Sequence, residues 1–208
     1  MEHAHLMIFV CIATPLSMML FVFKGRAKAV LGFLLAGIFM CLFAGEINGL
    51  IQKVTDLPMS FLTVNVTPVT EEILKALPIV FMAFLLKPGR GSLLEYSIAA
   101  GVGFATLENA CMLFDYSSSL SALNIIARGF GAGMMHGIST LAVGYSMLYV
   151  IAHKRMSYAG TVAALSIAII YHSIYNIVVQ SAYPVLGILL PTVTFVPLLI
   201  TLKKRKML

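Results

Sequence analysis

Charge is scarce in this 208-residue chain: Asp, Glu, Lys and Arg make up 11% of it, against roughly 25% in ordinary soluble domains. With 60% hydrophobic residues and a mean hydropathy of +0.98, that scarcity excludes a soluble domain and assigns an integral membrane protein. No apolar stretch shows the strict alternation of a membrane β-strand, which excludes a barrel. Cysteine is limited to Cys11, Cys41 and Cys111. Their odd number, their place inside apolar runs and the lack of metal-type spacing imply buried packing and no disulfide framework. An HExxH motif is absent, so the strongest sequence signal of a zinc hydrolase is missing. No internal repeat, low-complexity tract or polar domain interrupts the chain. Met1-Glu2-His3-Ala4-His5 lacks the basic n-region of a secretory signal, so the first apolar run is expected to remain as a span, with His3 and His5 in a solvated tail.

What is present is a series of apolar runs of roughly 20 residues, the length that crosses a hydrocarbon core of about 30 Å. They predict one all-α polytopic membrane domain over residues 1–208 with about seven transmembrane helices. The spans are expected at Leu6–Phe23, Ala29–Ile51, Pro68–Leu86, Leu93–Phe114, Ile125–Ala152, Tyr158–Val179 and Val185–Leu202. Basic residues collect in every second connection: Lys24, Arg26 and Lys28, then Lys87 and Arg90, then Lys154 and Arg155, then Lys203 to Lys206. The other connections hold only Lys53 and Arg128. The positive-inside rule then puts the N-terminus outside and the C-terminus in the cytoplasm, in a cell (plasma) membrane. The net charge of +6 is therefore a set of topology signals facing a lipid bilayer, with no nucleic-acid partner implied.

Ionisable residues inside such spans are costly, roughly 2.5–3.5 kcal/mol each at a helix centre, and mark function. Here they are Glu46, Glu71, Glu72, Lys75, Glu108, His136 and His172, with Asn176 beside them. Followed in alternating directions, five spans deliver these groups to the outer half of the bilayer. Thr67 is expected as the N-cap of the third span, with Pro68 at its first helical position and Pro78 bending it. Gly45, Gly49, Gly101, Gly103, Gly129, Gly133 and Gly137 flank the polar residues and are expected to let the helices approach closely. The stretch from Gln52 to Thr67 is the longest connection and is long enough to fold back over the outer face.

Lys75 follows Glu71 by four residues and Glu72 by three, the favourable order for a helical ion pair. Four-residue spacing is the better-attested pair, so Lys75 is expected to hold Glu71 and leave Glu72 as a general base for water. His172 and Asn176 share a helix face and can present an imidazole and an amide to one ligand. Two hydrolytic designs follow. A glutamate activates water while His and Asn stabilise the oxyanion, or His136, His172 and Glu108 hold a zinc ion beside a glutamate base.

Glu71-Glu72-x-x-Lys75, Phe104-x-x-x-Glu108, an intramembrane His136 and His172-x-x-x-Asn176, in this order on successive spans, resemble the motifs of the PrsW family of intramembrane proteases. That family is related to the type II CAAX prenyl endopeptidases and to the APH subunit of γ-secretase. Gly103-Phe104-Ala105-Thr106-Leu107-Glu108-Asn109 is the most telling stretch. Glutamate in the second motif and lysine in the first, where the CAAX relatives carry histidine and arginine, point to the PrsW branch. The resemblance spans residues 67–179. It implies an endopeptidase, glutamic-type or metal-dependent, that cuts a membrane-anchored, anti-sigma-factor-like substrate near the outer leaflet. Glu71, Glu72, Glu108, His136, His172 and Asn176 would be the functional residues, supported by Lys75 and Phe104, with zinc the one cofactor in view. Glu46 matches no family motif. Two other classes compete: a non-catalytic scaffold subunit, and a proton or cation transporter, which the apolar inner halves of the spans disfavour.

Overall fold

The computed structural model describes residues 4–86, 88–116, 122–181, 183 and 185–207. The expectations for His3 and Lys87 fall outside them, as do those for the side chains of Arg128 and Lys154. Among the described residues the chain is helical: α1 (Ala4–Val22), α2 (Gly25–Thr55), α3 (Met59–Asn65), α4 (Thr67–Leu85), α5 (Arg90–Tyr116), α6 (Ala122–Ala152), α7 (Ser157–Val179) and α8 (Leu186–Lys204), with a 3-10 turn at Lys154–Met156 before α7. Six of these, α1, α2 and α5 to α8, are long and apolar enough to cross a membrane. α4 has the same length as α1 and α8, 19 residues, but carries Glu71, Glu72 and Lys75 near its start. The helix unforeseen in the sequence is α3, a two-turn element in the connection between α2 and α4.

α6 lies at the centre and packs against α4, α5, α7 and α8, while α2 crosses α5 along the most extensive interface. That crossing is close because Gly37 and Gly103 leave no room for a side chain, each facing backbone of the other helix, and Gly101 does the same against the carbonyl of His136 on α6. Gly45, Gly49, Gly129 and Gly133, expected in the same role, face open space instead. The reason is geometric: contact is set by helix rotation, which glycine spacing along one helix does not reveal.

Two polar contacts orient the bundle. His5 at the start of α1 bonds Asp115 near the end of α5 at 3.0 Å, so it is not a free tail residue, and Arg26 at the start of α2 pairs with Glu95 near the start of α5. α2 and α5 thus run parallel, and α1 begins where α5 ends. The last described residues lie at the opposite end, where Leu202 of α8 packs on Leu94 of α5 and Leu141 of α6. Arg26 and Arg90 also lie at that far end, away from the polar cluster. α4 does not start as expected. Its N-cap is Val66, and the Thr67 hydroxyl donates to the Leu62 carbonyl of α3 at 2.7 Å, a carbonyl that also accepts from the Val66 N–H. α4 then continues through Pro78 to Leu85.

Candidate active site

The first three turns of α4 place Glu71, Glu72 and Lys75 in the interior, with Lys75 and the Glu72 side chain fully buried. Charges so placed persist only with close partners. Lys75 Nζ lies 2.6 Å from Glu72 Oε1, 2.6 Å from His136 Nδ1 and 4.8 Å from the centre of the Phe104 ring. Lys75 thus contacts Glu72, three residues back, whereas the spacing had favoured Glu71, four back. The same ammonium also meets His136 of α6.

The histidines come from α6 and α7. The His136 carbonyl, facing Gly101, accepts from the hydroxyls of Ser139 (3.1 Å) and Thr140 (2.9 Å), and its Nε2 lies 2.5 Å from Glu108 Oε2. His172 Nδ1 is 2.8 Å from Glu72 Oε1, and its Nε2 is 3.8 Å from Glu71 Oε2. The two rings meet edge to face at 5.0 Å, so one site unites α4, α5, α6 and α7. Proton accounting follows from these partners. A carboxylate only accepts, so His172 donates from Nδ1 to Glu72. An ammonium only donates, so His136 accepts on Nδ1 and donates from Nε2 to Glu108.

Ligand atoms of Glu71, His136 and His172 lie within 4.8 Å of one another, and all three residues are buried. Two imidazole nitrogens and a carboxylate oxygen are a donor set that suits zinc, the cofactor anticipated from the sequence. The carboxylate in this group is Glu71, whereas Glu108, anticipated as the third ligand, is the partner of His136 Nε2.

A cavity of about 610 Å³ opens beside the cluster, within the size range of ligand sites, and is lined by α2, α3, α5 and α7 together with the start of α4 and His5 of α1. Glu71, Glu108, His172 and Asn176 line it, as does the exposed Glu46 that no motif explained. Gly45 and Gly49 also line it, so their lack of side chains keeps the cavity open and serves no helix contact. Asn176 Nδ2 donates to the Thr63 carbonyl at 2.7 Å, and Gln180 Nε2 to the Thr63 hydroxyl at 2.9 Å. Gln180, Thr63, Asn48 and Asp115 line the cavity but were not singled out in the sequence. A signal existed for one of them. His172, Asn176 and Gln180 form an i, i+4, i+8 polar stripe along α7 and its C-cap.

Fold and site together define a class: a multi-pass helical membrane protein whose ionisable residues converge beside a cavity. Residues 25–202 match the model of the PrsW family intramembrane metalloproteases, and the chain belongs to that family. It is an intramembrane peptidase of several membrane helices, which acts on membrane protein in a lipid setting. No curated protein and no solved structure matches the chain.

Proposed function

We propose that the chain is a metal-dependent endopeptidase that cleaves a membrane-anchored, anti-sigma-factor-like protein near the outer leaflet of the cell membrane. The observation that carries this reading is the approach of Glu71, His136 and His172 ligand atoms to within 4.8 Å beside a cavity that also holds Glu108. These three residues would hold the ion, and a bound zinc ion supplies polarisation of the scissile carbonyl and of the attacking water. Glu108 faces the cavity and is the base that takes the water proton and returns it to the leaving nitrogen. Glu72 locks the tautomer and orientation of His172, in the manner of a carboxylate behind a ligating histidine. Lys75 fixes Glu72 and His136 at once, and Phe104 walls off the ammonium. Ligation through His136 Nε2 would require that proton to leave through the cavity and Lys75 to protonate Nδ1 in exchange, which keeps the imidazole neutral and leaves Glu108 ionised as the base. An amide nitrogen carries two protons, so Asn176 can give one to Thr63 and offer the other to the tetrahedral oxygen.

One observation favours a second reading, glutamic-type hydrolysis without metal: both nitrogens of His136 are engaged, by Lys75 and Glu108. Metal analysis of detergent-purified wild type, His172→Ala and Glu71→Gln, beside cleavage of a single-pass membrane substrate with and without chelator, separates the two. Stoichiometric zinc that both variants lose, with cleavage abolished by chelation, supports the metal reading. Full cleavage by metal-free protein replaces it with the glutamic one, and no cleavage by folded wild type returns the chain to the scaffold hypothesis. The outward-facing site is tested by thiol labelling: Ser181→Cys should react from outside, and Gly89→Cys only after permeabilisation.

A further inference from the structure

The cavity is flanked by α2 and α7, yet among the described residues these two helices share no packed interface. Deeper in the bundle α4 lies between them and packs on both. At the end where α4 begins, the space is covered by α3, which packs on α4 and α7. A polypeptide held in the bilayer beside this gap meets α3 before it meets Glu71, Glu108 or His172.

α3 is built unlike the other helices. Seven residues are too few for a helix to persist without tertiary support. That support is thin: Leu62 is its one buried side chain, every residue from Gln52 to Phe61 is exposed, and Leu57, Met59 and Phe61 present apolar surface outward. The end toward α2 carries a break: Asp56, in the left-handed region at φ 53°, ends α2 just before Pro58, whereas at the other end Val66 alone joins α3 to α4 and keeps helical backbone bonds on both sides. What holds α3 on α7 is polar and centred on Thr63. Its carbonyl accepts from Asn176, and its hydroxyl accepts from Gln180 while donating to the Met59 carbonyl at 3.0 Å. Little apolar burial and a few side-chain bonds put a segment at the low-stability end of a fold, from which moving elements are drawn. Breaking these bonds within a membrane is costly unless replacements arrive, and a substrate segment with unpaired peptide groups brings its own donors and acceptors.

We propose, on the basis of the protease reading above, that α3 is the door through which a membrane-anchored polypeptide passes from the bilayer into the cavity, with Gln180 and Asn176 as the latch on Thr63. Gln180 is then a positioning residue, and Asn176 joins the door to the site. The partner admitted is a single-pass chain whose helix is interrupted beside the membrane boundary, because a continuous helix has no free peptide groups to exchange for the latch.

The test is a reversible staple, Thr63→Cys with Gln180→Cys, in a background with Cys11, Cys41 and Cys111 replaced by Ser, reconstituted in phosphatidylcholine vesicles. The probe is a single-pass peptide with a Gly/Ser-rich segment at the membrane boundary, flanked by a fluorescence donor and acceptor. A second version carries a photoreactive residue and is used with Glu71→Gln added to the enzyme, so that admission is read without cleavage. The oxidised staple should lower both cleavage and photoadduct by at least about tenfold, the latch bonds having been replaced by one that no substrate can exchange, and reductant should restore both. Gln180→Leu, which loosens the latch without a staple, should raise the initial adduct rate roughly two- to tenfold. Equal adduct in oxidised and reduced forms, including none in either, overturns the door. Adduct that follows the staple while no reduced form cleaves supports the door and counts against the protease reading.

Discussion

The same four helices behave as two materials. In the half away from the site, α4 to α7 meet through Ile79, Met82, Ala83, Leu93, Ala100, Val143, Met147, Val150, Ala164 and Ala168, an apolar core. Ser97, the buried polar residue on that side, is satisfied by its own helix through the Leu93 carbonyl at 2.7 Å. Seven residues along α6 from Val143, the interior becomes His136, Lys75, Glu72, His172 and Glu71, with a cavity behind them. The contrast teaches where each kind of free energy sits. The dry half contributes packing, which tolerates no gaps, and the polar half contributes chemistry, in which each ionisable group is tolerated only through its neighbours. A proton or cation path would need polar groups through both halves, and among the described residues the apolar core cluster of the dry half contains none.

The largest expected effect comes from breaking the polar half at its centre. Lys75→Ala leaves Glu72 buried without its cation and should cost roughly 3–5 kcal/mol, read by thermal or chemical unfolding in detergent, with loss of cleavage. Adding Glu72→Gln should restore most of that stability and none of the activity, because the two residues form one unit. If Lys75→Ala unfolds no more easily than wild type, the polar half is not held together by its charges.

Glu108→Gln should separate chemistry from structure. Its carboxylate is partly exposed to the cavity, so stability should hardly move while cleavage falls by at least about 10²-fold. Wild-type turnover by this variant would remove Glu108 as the base.

The dry half is broken by volume. Ile79 is fully buried, and Ile79→Ala should cost about 2–4 kcal/mol while cleavage per folded molecule stays at the wild-type rate. A change in turnover beyond the loss of folded protein would show that the halves are coupled.

The smallest effects sharpen the comparison through glycine. Gly103→Ala forces a side chain into the α2 backbone and should cost about 1–3 kcal/mol, whereas Gly45→Ala meets no atom within 4 Å and should stay within about 0.5 kcal/mol of wild type. Equal costs for the two would contradict the assignment of one glycine to packing and the other to the cavity.

The sequence by itself determined the number and order of the long helices, because an apolar run that must satisfy its own backbone in lipid has one solution, and the spans expected from it agree with the helices to within a few residues. It also exposed the ionisable residues, which stand out in membrane segments through their cost. Alternating helix direction was enough to bring Glu71, Glu72, Glu108, His136 and His172 to one end. Which atoms meet was a different matter. Spacing along α4 allowed Lys75 to reach either glutamate, and it meets Glu72 together with His136, 61 residues away on another helix. Glu108 became the partner of His136, and Glu71 joined the two histidines, through the rotation and crossing of α4 to α7, which the packing of all four decides together. Helix α3 and its hold on Asn176 and Gln180 were equally hidden, since seven residues with one buried side chain leave no periodic trace. Local chemistry sets what each helix can offer, and only the tertiary structure sets which offers meet, because contact between helices depends on rotations that no single helix encodes.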